Sequence, residues 1–166
     1  MPPPERTPLQ RAKDLTLRAL GSRAHSEAEL RRKLAKAKLS DEADVALAWL
    51  RGLGYVDDRA FAAGRARALL RPGGVGPRMA EQKLAQAGIG RDAAKAAVAE
   101  VLEGAGGRTR GEAGLCRALA ERKVKGDPAR LDERARNKLA RFLLGRGFKG
   151  EAVRTAVGGS WEPDAD

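Results

Sequence analysis

Aromatic residues make up only 4% of this chain, and histidine and cysteine occur once each, as His25 and Cys116. Each shortage closes off a class of function. One cysteine permits no intramolecular disulfide, which suits a reducing cytosol. One histidine leaves no imidazole pair for a metal and no evident base with an oriented partner. Few aromatics leave little to stack on unpaired bases, so base recognition is not expected. Runs of Val, Ile, Thr and Tyr are missing, which argues against a sheet. No apolar run approaches the roughly 20 residues that span a bilayer, so no membrane partner is expected. The start, Met1-Pro2-Pro3-Pro4-Glu5-Arg6, lacks the apolar centre of a signal peptide.

What the chain does have is alanine, arginine and a repeated frame. The 166 residues carry a net charge of +11, spread as +3 over residues 1–57, +3 over 58–104 and +5 over 105–166. A basic surface of this size attracts phosphate backbones or acidic protein faces at long range. Three stretches share the frame Leu-x-x-x-(Gly/Lys)-(Leu/Ile/Phe). They are Leu34 to Leu39, Leu84 to Ile89 and Leu143 to Phe148. The leading leucines lie 50 and 59 positions apart. A unit of this length is too small to bury a core alone and points to stacked modules.

Helical periodicity fills the units. The expected fold is all-α: three tandem three-helix repeats with about nine helices, elongated and curved. The boundaries read as a disordered head at 1–8, repeats at 9–56, 57–103 and 108–158, a Gly-rich linker at 104–107, and a disordered tail at 159–166. The first helix shows Leu9, Lys13 (stem only), Leu17 and Leu20 as its apolar stripe, and Gly21 suggests its left-handed cap. Ser26-Glu27-Ala28-Glu29 reads as a capping box for the second, with Leu30, Leu34 and Ala37 on one face. Val45, Ala48, Trp49 and Leu53 fall at core spacing in the third. Ala94, Ala97, Val98, Val101 and Leu102 make the sixth the best amphipathic match.

Little here could carry catalysis, and no cofactor is expected. His25 precedes a serine N-cap, where a polar turn residue is ordinary. Cys116 sits beside the inward Leu115 and reads as a small core residue. Asp57-Asp58 could bind a divalent metal, but a helix N-cap explains the pair without one. Gly73-Gly74-Val75-Gly76 lacks the Lys-Ser/Thr of a phosphate-binding loop and follows no strand, so it reads as a loop.

The basic residues are the candidate site. Arg134, Lys138 and Arg141 recur at i, i+4 and i+7 on the eighth helix, and Arg146 and Lys149 extend the stripe. Arg110, Arg117 and Arg122 mark the seventh helix; Arg31, Arg32 and Lys36 mark the second. Arginine engages phosphates and carboxylates with a planar fork. The competing explanation is a solvated face whose cations complement helix C-termini.

At these motifs the chain resembles the RecX family, bacterial regulators of the RecA recombinase. The matching residues are Ala19-Leu20 and Arg23, Ser26-x-x-Glu29-Leu30-x-x-Lys33-Leu34, and Leu50-x-x-Leu53-Gly54-Tyr55-Val56-Asp57-Asp58-x-x-Phe61-Ala62. Gly76-Pro77, Leu84-x-x-x-Gly88-Ile89 and Ala140-Arg141-Phe142-Leu143-x-x-Arg146-Gly147-Phe148 complete them, over residues 9 to 158. The resemblance implies tandem three-helix repeats that bind the groove of the RecA filament on single-stranded DNA. It also implies damping of ATP hydrolysis, strand exchange and filament growth. The chain departs from the pattern at Lys38, where later units have glycine, and in the flexible 104–107 linker.

The leading expectation is thus a non-enzymatic, monomeric, cytoplasmic RecA regulator whose DNA contact is weak or made through RecA. The alternative is a helical DNA-binding module of helix-turn-helix type acting without RecA.

Overall fold

Side-chain caps from Thr7, Ser26 and Asp132 mark the starts of three helices of this protein. In the computed structural model, residues 6–104, 111–158 and 161 are described, and among them there are nine α-helices and no strand. They are α1 (Pro8–Ser22), α2 (Glu27–Lys36), α3 (Ala43–Gly52), α4 (Asp58–Leu69), α5 (Pro77–Gln86), α6 (Arg91–Gly104), α7 (Gly111–Val124), α8 (Glu133–Gly145) and α9 (Gly150–Val157). A short 3-10 turn, Pro128–Arg130, precedes α8. Residues 105–107 of the Gly-rich stretch lie outside the described residues.

The chain divides into two units. One comprises Met1–Ala62 with Gln86–Ile89, the other Ala63–Ala85 with Gly90–Asp166. In the first unit α1, α2 and α3 pack on one another. Leu30, Leu34, Leu47 and Leu50 are fully buried there. Burying a leucine side chain contributes about 1.5–3 kcal/mol. In the second unit α9 packs mainly on α7 and also on α8. Leu143, Val153 and Val157 are fully buried, with Phe148 nearly so.

Three local expectations are corrected. The capping box forms at the start of α1, not α2: Thr7 Oγ1 accepts from the Gln10 N–H at 3.2 Å, and Gln10 Oε1 accepts from the Thr7 N–H at 2.9 Å. Ser26 does cap α2, accepting from the Glu29 N–H at 3.1 Å, but the Glu29 carboxylate turns to Arg23 at 2.9 and 3.2 Å. Next, α1 continues through Gly21 and ends at an extended Arg23, so Gly21 is no left-handed cap.

The buried faces of α1 and α3 are also rotated from the expected ones. In α1 the expected Leu9 and Leu20 do pack against the core, but Ala12 and Thr16 are its fully buried residues and Leu17 is exposed. Ala43, Ala46, Leu47 and Leu50 are buried in α3, while Val45 and Leu53 stand more than half exposed. Both faces of α3 carry apolar residues three and four positions apart: Val45, Ala48 and Trp49 on one, Ala43, Ala46 and Leu47 on the other. The leucine-rich face packs into the first unit's core, and Trp49 is left half-buried beneath the Lys13 ammonium, 4.5 Å from the ring centroid.

The repeated frame has a structural meaning visible inside each unit. In the first unit, Ala87-Gly88-Ile89 packs on the N-terminus of α2. The Ser26 hydroxyl donates to the Ala87 carbonyl, and both terminal nitrogens of Arg32 donate to the Gln86 carbonyl at 3.1 Å. Gly88 has φ +87°, and a Cβ there would overlap that of Ala28. In the second unit, Arg146-Gly147-Phe148 packs on the N-terminus of α5. The Gly76 N–H donates to the Arg146 carbonyl at 2.8 Å, and the Arg78 N–H to the Gly147 carbonyl at 3.2 Å. Gly147 has φ +91°, and a Cβ there would sit 2.5 Å from the Met79 nitrogen. Glycine is needed in both frames for the same two reasons: a left-handed backbone and a helix end pressed against it.

Candidate partner-binding surface

The structure sorts the basic residues by what they already hold. Most are occupied. Arg31 bridges Glu27 at 3.1 Å and Asp44 at 2.6 Å, and these partners raise its pKa further, Asp44 foremost. Glu27 also takes Arg51 at 2.6 Å; chiefly through Arg51 its carboxyl titrates below the ordinary range. Arg32 is spent on the Gln86 carbonyl. Arg117 pairs with Glu121 at 2.9 Å and lies 3.9 Å from Asp127.

Arg122 lies against Gly73, where a Cβ would come 2.6 Å from its Nη1. Arg146 reaches in to donate to the Gly74 carbonyl at 3.0 Å. Lys149 lies 3.9 Å from Glu112, whose other oxygen accepts from the Lys149 N–H at 2.7 Å and so caps α9. These residues close turns and helix ends, and the expectation that Arg146 and Lys149 extend the α8 stripe is not met. Arg110 lies outside the described residues.

Five candidates have no hydrogen bond or ion pair among the described residues: Lys36 on α2, Arg122 on α7 beside Gly73, and Arg134, Lys138 and Arg141 on α8. The α8 trio is exposed and shares one face. At 1.5 Å per residue it spaces three cations over about 10 Å of helix. Asp132 fixes the start of that face, accepting from the Ala135 N–H at 2.7 Å. The face borders an open groove of about 560 Å³ lined by Asp132, Arg134, Ala135, Lys138 and Arg141. Asn137 and Glu133 line a neighbouring concavity. Sequence periodicity pointed to the trio. It did not point to Asn137 or Ala135, whose place beside the groove no charge pattern marks.

The other side chains with potential chemistry serve the fold. Asp57 Oδ1 accepts from the Ala60 N–H at 3.0 Å, and Asp58 Oδ1 from the Glu27 N–H at 2.8 Å. The carboxylate pair thus caps two helix starts, α4 and α2. His25 is buried, with Nδ1 2.9 Å from the Arg23 carbonyl. Burial, then the Glu112 charge, pushes the Cys116 thiol up to about 12, so no thiolate is present near neutrality. Among the described residues no three His, Cys, Asp or Glu gather as metal ligands, and no helix is long and apolar enough to cross a membrane.

Comparison with known proteins gives one consistent answer. Residues 112–157 match the family model described as RecX, third three-helix domain. The chain is 36% identical over 147 residues to a regulatory protein RecX of Chlorobaculum tepidum, covering 88% of this chain and 86% of the relative. It is 34% identical over 163 residues to a regulatory protein RecX of Stenotrophomonas maltophilia, covering 98% and 91%. The crystal structure of RecX from Lactobacillus salivarius shares the fold at a TM-score of 0.73 and 20% identity, covering 90% of this chain and 94% of that one. A second RecX crystal structure also gives 0.73, at 22% identity, covering 90% and 72%.

Proposed function

Because the chain belongs to the RecX family, we propose that it regulates the RecA recombinase by lodging in the groove of the RecA filament on single-stranded DNA. The observation that carries this reading is the α8 face. Arg134, Lys138 and Arg141 share one exposed helix face, hold no hydrogen bond or ion pair among the described residues, and border an open groove. Three unpaired cations on a rigid helix suit acidic side chains or phosphates, and they exact no disruption of an existing pair on binding. Bound there, the protein obstructs incoming DNA or subunit addition, and so damps ATPase, strand exchange and filament extension. It acts in the cytoplasm by occupancy, without a cofactor and without chemistry of its own.

The test is RecA ATPase on single-stranded DNA, titrated with this protein at fixed salt. Activity should fall well below one protein per RecA subunit. The R134A/K138A/R141A variant should need at least about tenfold more protein for the same effect, the equivalent of about 1.4 kcal/mol or more. The wild type's advantage should shrink as salt rises. Unchanged ATPase and filament length at saturation would overturn the proposal. Tight binding of naked duplex in the same buffer would then favour a DNA-binding module acting alone.

A further inference from the structure

The two frame junctions show what the first frame, Leu34 to Leu39, lacks. At Gly88 and Gly147 a left-handed glycine lies under the first turn of another helix, and a side chain at either place would collide with it. The first frame closes its own helix in the same way. The Leu39 N–H donates to the Leu34 carbonyl at 2.9 Å and the Lys38 N–H to the Ala35 carbonyl at 3.0 Å, as Phe148 and Gly147 do to Leu143 and Leu144. Residue 38 holds the same left-handed backbone, φ +59°, but it is a lysine and its side chain is exposed. Glycine would take that backbone conformation more easily. A left-handed conformation therefore does not by itself account for glycine in this frame. Glycine stands where a helix end presses on the loop, and Lys38 is exposed, with no helix end against it among the described residues.

An array of like modules needs an end that will not accept another module, because a head-to-tail contact that does not close continues into a filament. The chain carries the other half of such a contact. The first turn of α8 is exposed at Asp132, Glu133 and Arg134. It is the third member of the series whose first two, the starts of α2 and α5, each receive a frame loop. Arg134 is the second residue of α8, the place Ala28 holds in α2.

We propose that Lys38 is an end-stop. It denies the frame loop Ala37-Lys38-Leu39 to the α8 N-terminus of a second copy by the bulk of its side chain, which would meet the long side chain of Arg134 where Gly88 meets only Ala28.

Sedimentation velocity over a wide protein concentration range, without RecA or DNA, tests this independently of the proposed function. The wild type should remain at one chain's mass. K38G should show a weight-average mass that climbs with concentration toward two chains and beyond, and K38G/R134A should do so at lower concentration. K38G/R134W, which crowds the exposed first turn of α8, should return to one chain. Helical circular dichroism checks that each variant is folded, and K38G relieves a left-handed lysine instead of adding a side chain. The proposal fails if K38G and K38G/R134A sediment as the wild type does. It fails equally if K38G/R134W still associates, or if the wild type already associates to the same extent as K38G.

Discussion

The junction on α2 and the junction on α5 do one task with different chemistry. On α2 the contact is made by side chains: the Ser26 hydroxyl both caps the helix and donates to Ala87, the Arg32 fork holds the Gln86 carbonyl, and Asp58 takes the Glu27 N–H. On α5 it is made by backbone. Gly76 stands where α2 has Ser26, and its bare Cα lets the N–H groups of Gly76 and Arg78 meet the carbonyls of Arg146 and Gly147. A Cβ on Gly76 would collide with the Gly147 and Phe148 backbone. Removing the cap's side chain shortens the approach until main chain meets main chain. A repeat can therefore keep a contact while losing the residues that made it, provided that a glycine appears on the other side.

The glycines are the place to break the comparison hardest. G147A sets a Cβ against the Met79 backbone, which cannot move without the helix, and adds a left-handed alanine. The second unit should lose about 3 kcal/mol or more in urea unfolding. G88A meets only the Ala28 Cβ, so it should cost less, about 2 kcal/mol, and adding A28G should recover part of that. No single partner substitution should rescue G147A. Equal losses with no rescue by A28G would mean that the junctions resist change in the same way.

A smaller effect is expected from S26A. It removes the cap of α2 and the donor to Ala87, and should cost the first unit about 1–2 kcal/mol. The α5 junction has no counterpart to lose. Trp49 lies against the first unit's core and Trp161 is buried in the second, so W161F isolates the fluorescence of the first unit. A midpoint unchanged by S26A in that background would mean that the Ser26 side chain does not hold the α2 junction.

The smallest effect is that of pH. The Glu27 carboxyl is held below its ordinary 4.5 chiefly by Arg51. Burial pushes Glu29 up, but the contacts that favour its charge, Arg23 first among them, together leave this carboxyl lowered as well. The unfolded chain therefore takes up protons first as the medium is acidified. The stability these pairs contribute is present above about pH 4.5 and drains away below it, as pH falls through the folded values. The pairs are open to solvent, so the loss should be a fraction of a kcal/mol, smaller still in high salt. In the W161F background, R23A/R51A should flatten the acid limb of the Trp49-reported stability curve; an unchanged limb would mean that the pairs contribute nothing.

Much of this was legible in the residues. The helices, the frame, the inward Leu30, Leu34, Leu84, Leu139 and Leu143, and the Arg134–Lys138–Arg141 stripe all follow from spacing, because a helix of 3.6 residues per turn fixes which side chains share a face. The sequence determined that these faces exist. Only the tertiary structure decided which face of α1 and α3 turns inward, because two apolar stripes compete on each and packing chooses between them. It also decided which cations are free. Arg51 meets Glu27 and Arg31 meets Asp44 from 24 and 13 positions away, and Arg146 finds the Gly74 carbonyl from 72 away. Such pairings arise from the chain's return upon itself, which local periodicity does not encode. The same reason separates Gly88 and Gly147 from Lys38: their backbones are alike, and only what rests against them differs.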